Sequence, residues 1–439
     1  MTRLARWCIV LSTLLVVGTL GETHASLIGH YSFVALPRFA WLVTFVALVI
    51  VAAYAVGLPE EPSSFASALA RSCVALAVSS GLVSLFALIA GTPLLPRFVV
   101  FGSDVLLIPA FPLIWALVNL GANGSGIEQV LAIASSEEGA LLELDLGSAP
   151  ERSARLAGVV VAGEEAGDDA RLRKEIARTA ELTRASVIVL GRAAQSRTAV
   201  VEEVARLHRE GLRVRTLALF YEEWLGKLPI GDLERTSLLF DINELHRASY
   251  AHLKRMVDVV LALLGGVGFL MAVPLVALGN LAGNRGPLLF RQERVGKDGR
   301  VFTMVKFRTM PPSDSLSAWT DSDDPRLGAV GSFLRATHLD ELPQFINVLR
   351  RELSFVGPRP EQPHYVDELE KKIPFYQIRH LVRPGITGWA QVNYGYGSTE
   401  LDALEKLQYE FYYLRHQSLV LDLRILGRTL RCIVGRRGR

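Results

Sequence analysis

The stretch "THLDELPQF", residues 337–345, sets Asp340 beside Glu341 between apolar neighbours, with Pro343 two residues on. Basic residues recur around it next to glycine and proline: "FRQERVG" (290–296), "KFRTM" (306–310), "LRATHLDELPQ" (334–344), "GPRPE" (357–361) and "RPGITGWAQVN" (383–393). Arginine offers a planar fork that matches phosphate oxygens, and lysine a compact charge. A carboxylate among such groups has two uses. It can hold Mg²⁺, a hard ion suited to oxygen ligands and phosphates. It can also attack phosphorus and form an acyl phosphate. Residue types alone therefore point to phosphoryl-type transfer. A structural reading stands beside it: Asp340 caps a helix beginning near Leu342, with Glu341 at the positive dipole end and Pro343 in the first turn. The arginines have a second reading too, as anchors to anionic lipid. Asp321-Ser322-Asp323, in the polar stretch 313–325, fits the DxD pattern of metal-dependent glycosyltransferases, which attack sugar carbon instead. No HExxH, GxSxG or Walker A motif occurs.

These residues need elements to position them, and the composition says of what kind. Half of the 439 residues are hydrophobic and mean hydropathy is +0.30, with the apolar residues unevenly spread. A formal charge of +3 gives no global argument for nucleic acid, whereas the ending "GRRGR" suits an anionic surface. Cys8, Cys73 and Cys432 lie far apart with no CxxC, which excludes zinc knuckles and a disulfide framework and fits a reducing compartment. Residues 1–121 read as about four transmembrane helices. Residues 39–58 carry no charge and are long enough to span, 72–91 and 98–119 are further spans, and 7–21 is a span or a cleaved signal before "THAS". Either choice leaves residue 121 onward in the cytoplasm, in agreement with Arg3 and Arg6. Asp104, inside the last span, has a functional reading and an interfacial one.

Residues 122–248 alternate strand-like runs ("VLAIA", "LAGVVVAG", "SVIVLG", "RVRTLALF") with amphipathic stretches, which predicts a small Rossmann-like parallel α/β domain. A nucleotide-binding turn would carry glycines after the first strand. Here "ASSEEG" places two acids there, which favours a scaffolding or regulatory domain. Residues 254–282 are apolar again, with Asp258 near the start and Pro274 inside. A full crossing would put the basic residues 290–439 outside, so the expectation is a re-entrant helix that breaks at the proline and returns to the same face.

Residues 252–434 resemble the bacterial sugar transferases, the monotopic phosphoglycosyl transferases. Seven blocks in order carry the resemblance: "KRMVDVVLAL", "GPLLFRQERVG", "FTMVKFRTM", "DDPRLGAVGSFLRATHLDELPQFINVL", "LSFVGPRPEQP", "RPGITGWAQVN" and "YEFYYLRHQSLVLDLRIL". The whole architecture is similar to the longer members, with four membrane helices, an α/β domain and a catalytic module at 249–439. Val273 stands where the family's re-entrant helix usually has serine before the proline, and the stretch from Asp258 to Pro274, with Gly265, Gly266 and Gly268, is about one turn longer. The resemblance implies transfer of sugar-1-phosphate from a UDP-sugar to polyprenyl phosphate with release of UMP, starting polysaccharide assembly at a bacterial inner membrane. It implies Asp340 as nucleophile forming a phosphosugar-enzyme, and Glu341 as Mg²⁺ holder or orienter, the two together forming the metal site. Arg335 and Arg359 become phosphate ligands, with Lys306 and Arg308 as further candidates, and Pro274 marks the membrane kink. Two rivals remain: the Asp321/Asp323 glycosyltransferase, and a non-catalytic membrane scaffold. A homodimer is a further expectation.

Overall fold

The computed structural model describes residues 2–31, 38–58, 64–91, 95–120, 127–148, 154–162, 168–229, 248–283, 287–310, 328–395, 397 and 399–434. The chain divides into two compact units, Met1–Leu233 and Glu234–Arg439.

In the first unit, α1 (Thr2–Thr23), α2 (Arg38–Ala55), α3 (Phe65–Ala90) and α4 (Arg97–Leu120) pack on one another around Val17, Phe45, Val49, Leu76, Leu107 and Phe111. Each is long and apolar enough to cross a membrane. The third begins seven residues earlier than its hydropathy predicts, because Ser64 caps it by accepting from Ser67 N. Asp104 lies inside α4. Its carboxylate accepts from Ser80 Oγ at 2.8 Å, which ties α4 to α3 inside the bundle.

Beyond it a four-stranded parallel sheet runs in the order β2-β1-β3-β4, with β1 Glu128–Ala134, β2 Ala154–Val161, β3 Val187–Leu190 and β4 Arg213–Thr216. The central strands β1 and β3 are apolar on both faces, as a sheet covered on both sides requires. Leu131, Ile133, Ile188 and Leu190 meet α6 (Asp169–Thr183) and α8 (Thr198–Arg209) on one face. Val130, Ala132, Val187 and Val189 meet Leu142 and Leu146 of α5 (Ser136–Ser148) together with Phe220 and Trp224 on the other. The last predicted strand is corrected: β4 stops at Thr216, whose Oγ1 accepts from Leu219 N and starts the helical turn α9 (Leu217–Phe220).

In the second unit α10, Ala248–Gly283, runs unbroken for 36 residues with Pro274 inside. The expected break at the proline does not interrupt it. One side of α10 is docked along its length. Asp258 accepts from Ser354 Oγ and Phe355 N at 3.0 Å each, Gly266 lies against Phe345, and Val276 packs with Phe307 and Leu334. A Cβ on Gly266 would stand 3.3 Å from the Phe345 ring and one on Gly279 2.9 Å from Val330, so glycines on this side admit close packing. The opposite side is uniformly apolar and exposed: Leu253, Met256, Val260, Leu263, Val267, Leu270, Met271, Leu275 and Leu278. Apart from the adjacent Leu270 and Met271, they recur at three- and four-residue steps and form one stripe. Against the docked side lie the antiparallel hairpin of β5 (Leu289–Val295) and β6 (Val301–Phe307), α11 (Ala329–Ala336), α12 (Phe345–Leu349), and β7 (Ser354–Val356), which pairs in parallel with β8 (Gly385–Thr387). The helices α13 (Pro363–Lys372), α14 (Trp389–Asn393), α15 (Glu400–Arg415) and α16 (Leu419–Val434) complete the unit.

Candidate active site

Asp340 and Glu341 fall in a 3₁₀ turn, Leu339–Gln344, and the expectation that Asp340 caps a helix is corrected. The residue that starts the turn is His338, held at φ 54°, and Asp340 lies inside the first turn with its side chain buried. A left-handed histidine is uncommon, and such backbone strain gathers at functional sites. Asn347 locks the turn to the hairpin. Its Oδ1 accepts from Val305 N (3.2 Å), and its Nδ2 donates to Thr303 O and to Glu352 (2.7 Å each). Three-residue turns eclipse i and i+3, so successive side chains point apart. Glu341 faces a small cleft that it lines with Arg294, Met304, Lys306, Gln344, Arg359, Pro360, Gly385 and Ile386. Asp340 is not among those lining residues.

Lys306 reaches in from β6 and donates to Glu341 Oε1 at 2.9 Å. Arg359 arrives on the "GPRP" loop after β7. Here the two Gly-Pro motifs explain each other. A Cβ on Gly357 would lie 2.4 Å from Arg383 O, and one on Gly385 only 2.1 Å from Gly357 N, so the two strands meet with no room for side chains. The buried Arg379 donates to Arg359 O (2.9 Å) and pairs with Glu410 at 2.7 Å, holding the loop from behind.

Burial first, then the charge of Glu341, raises the Asp340 carboxyl to about 6, with Lys306, His338 and Arg335 pulling the other way. For Glu341 burial also works upward, but Lys306 and then Arg359 outweigh it and hold the carboxyl below its usual range. The two acids thus take different characters, Asp340 raised and Glu341 lowered. Arg335 Nε donates to Thr309 Oγ1 (3.1 Å) beside the turn, outside the cleft. Arg308 is not brought to the cleft. Its Nε donates to Pro287 O, and its guanidinium stands 6.0 Å from the Phe290 ring. Asp321 and Asp323 lie outside the described residues.

Two neighbouring acids suit Mg²⁺, which keeps several waters and completes its shell on substrate phosphate. No group of three or more His, Cys, Asp or Glu able to hold a metal occurs among the described residues, so the donor set fits an ion arriving with a phosphate, not a closed protein cage.

Sequence reasoning missed Arg294, quoted in "FRQERVG" but assigned no role. It missed the Arg379–Glu410 pair, whose members stand 31 residues apart, and Asn347, an ordinary polar residue in sequence. In the α/β domain the "ASSEEG" turn turns out to serve itself. Glu138 Oε2 accepts from Ser135 N at 2.9 Å, and its Oε1 accepts from Arg192 N at 3.2 Å, after β3. A carboxylate of the chain therefore fills the place between adjacent strand ends where a doubly wound sheet would take a ligand's phosphate. A side chain on Gly191 would meet it at 2.3 Å.

Comparison with known proteins now adds to this geometry. The family model for bacterial sugar transferase matches residues 249–436. A UDP-N-acetylgalactosamine-undecaprenyl-phosphate N-acetylgalactosaminephosphotransferase of Aeromonas hydrophila is 41% identical over 187 residues, 42% of this chain and 44% of that protein. A UDP-glucose:undecaprenyl-phosphate glucose-1-phosphate transferase of Escherichia coli K12 is 41% identical over 182 residues, 40% of this chain and 39% of that one. The similarity thus spans less than half the length of either relative. A Caulobacter vibrioides protein named for the same glucose-1-phosphate transfer is 40% identical over 181 residues, 40% of this chain and 68% of its own length. With the acid pair, the basic cleft and the docked apolar helix all inside the matched range, the chain belongs to the bacterial sugar transferase family.

Proposed function

We propose that this chain transfers sugar-1-phosphate from a UDP-sugar to a polyprenyl phosphate, releasing UMP, and so starts assembly of a polysaccharide at a bacterial inner membrane. The observation that carries the reading is the differentiated acid pair, a buried Asp340 next to a Glu341 that faces three cationic side chains. The ionised Asp340 oxygen attacks the sugar-bearing phosphorus. The bond from that phosphorus to the bridging oxygen breaks, and the electron pair leaves with UMP. An oxygen of polyprenyl phosphate then attacks the same phosphorus, the aspartyl–phosphorus bond breaks, and the carboxylate is regenerated with polyprenyl-diphosphate-sugar as product. Arg335, Arg359 and Lys306 offset the charge that grows on the phosphoryl oxygens and the departing nucleotide. Mg²⁺ held by the Asp340–Glu341 pair would add Lewis-acid stabilisation of those oxygens when bound.

The apolar stripe of α10 supports a membrane seat in which this helix lies against lipid on one side and its own unit on the other, placing the site at the level of the acceptor's phosphate. The α/β domain, whose phosphate position is filled by Glu138, is assigned a scaffolding role, including self-association into a homodimer. The Aeromonas hydrophila and Escherichia coli relatives are named for different sugars, so the donor is left to experiment. The test is nucleotide release from a panel of UDP-sugars, with undecaprenyl phosphate and Mg²⁺, comparing the wild type with Asp340→Asn. UMP from one donor, lost in the variant, is expected. UDP as product, or UMP release that survives in Asp340→Asn, would sink the nucleophile and bring Asp321 and Asp323 forward. Folded protein that is silent across the panel would point to a scaffold.

A further inference from the structure

Arg294 enters the cleft from β5, opposite Phe302 of β6. Its side chain is only 12% exposed. One of its amino groups, Nη1, donates to Pro360 O at 3.0 Å, and the other, Nη2, to Gln292 Oε1 at 2.7 Å, with Glu361 3.7 Å away. Buried donors left unpaired are costly. The Arg294 Nε is buried with no partner among the described residues. Burial and the nearby charge of Arg359 bring this guanidinium down to about 10, against the pull of Glu361 and Glu341. Arg294, Arg359 and Lys306 line one cleft, in which Glu341 is already paired with Lys306.

Asp340, the nucleophile of the proposed transfer, does not line this cleft, so the phosphorus under attack belongs on the other side of the turn. The cleft lies on the Glu341 side, and a diphosphate straddling the turn would leave its nucleotide-side phosphate there. Resting on the proposed sugar-phosphate transfer, we infer that Arg294 is a phosphate ligand, whose guanidinium fork works with Arg359 and Lys306 to hold the phosphate that departs as UMP. The hydrogen bond to Pro360 O then has a purpose beyond joining β5 to the loop, because it aligns the guanidinium with the residue next to Arg359.

The experiment uses the full chain in nanodiscs and measures equilibrium binding of radiolabelled UMP, with competition by unlabelled uridine, alongside KM and kcat for the donor. Arg294→Met keeps the length of the stem and removes the fork, whereas Arg294→Lys keeps the charge alone. UMP affinity and donor KM are expected to worsen roughly 10–100-fold in Arg294→Met, as for loss of a charged hydrogen-bond donor. Uridine affinity should stay within about twofold, and Arg294→Lys should fall in between. Equal losses for UMP and uridine, or UMP binding by Arg294→Lys equal to wild type, overturns the assignment. Should Arg294→Met fail to fold, the Lys variant decides by the same criterion. Asp340→Asn runs in parallel. If it still releases UMP, the transfer reading fails on its own account, while direct UMP binding continues to judge Arg294.

Discussion

Asp340 sits where its ionised form is disfavoured, and two consequences follow at the residue scale. A nucleophile with its carboxyl near 6 must lose its proton to react. The rate of UMP release is therefore expected to fall about tenfold per pH unit below about 6, read from a pH–rate profile at saturating donor. The same shift acts on stability. The folded value lies above the 3.8 of an ordinary aspartate, so the fold prefers the protonated acid. Its contribution is fully present below about pH 4 and is lost as pH rises through 6. Asp340→Asn should accordingly raise Tm at pH 8, by an amount no larger than about 3 kcal/mol in free energy, and leave it unchanged near pH 4. An unchanged Tm at pH 8 would show that the carboxylate is compensated by contacts in the ionised state. The acid pair itself was legible in sequence because two acids among apolar neighbours are costly to bury without purpose. Which acid faces the cleft was not legible, since that depends on a 3₁₀ turn started by a left-handed histidine.

At the scale of elements, the Gly-Pro motifs supply the sharpest prediction. Gly357→Ala would drive a methyl to within 2.4 Å of Arg383 O and 2.9 Å of Gly385 N, both of them backbone. Overpacking of this kind typically costs about 1–3 kcal/mol, and backbone cannot yield as a flexible side chain does. Lower Tm together with lost UMP release is expected, whereas Gly395→Ala serves as a steric control because its position is open and its φ is not positive. Asn347→Ala tests the turn's lock: it removes three hydrogen bonds and leaves Val305 N and Thr303 O without their partner, so a loss of about 2–4 kcal/mol is expected in thermal unfolding. The strands β1 and β3 and the four apolar helices of the first unit were readable as runs because burial on both sides, or in lipid, demands continuous hydrophobicity. The end of β4 was not, because "LALF" is as apolar as a strand and only the hydroxyl of Thr216 decides otherwise. Arg379 and Glu410 were invisible for a different reason: a buried ion pair is a property of two distant positions, and neither residue is unusual alone.

At the scale of the molecule, the two compact units predict separable duties. A chain beginning at residue 248 should retain UMP release within about tenfold of the full chain, because every described residue of the site lies in the second unit. Loss of all activity on truncation, with the fragment folded, would assign a catalytic duty to the first unit. The anchoring of α10 also imposes an order in time. Asp258 finds its partners in Ser354 and Phe355, 96 and 97 residues later in the chain. At a synthesis rate of about 5–20 residues per second, roughly 5–20 s pass between the emergence of the helix and that of the strand that satisfies its acid. For that interval the ribosome has delivered a long apolar segment carrying an unpaired carboxylate near its start. The nascent helix must wait for the rest of its own domain to arrive and fix its place.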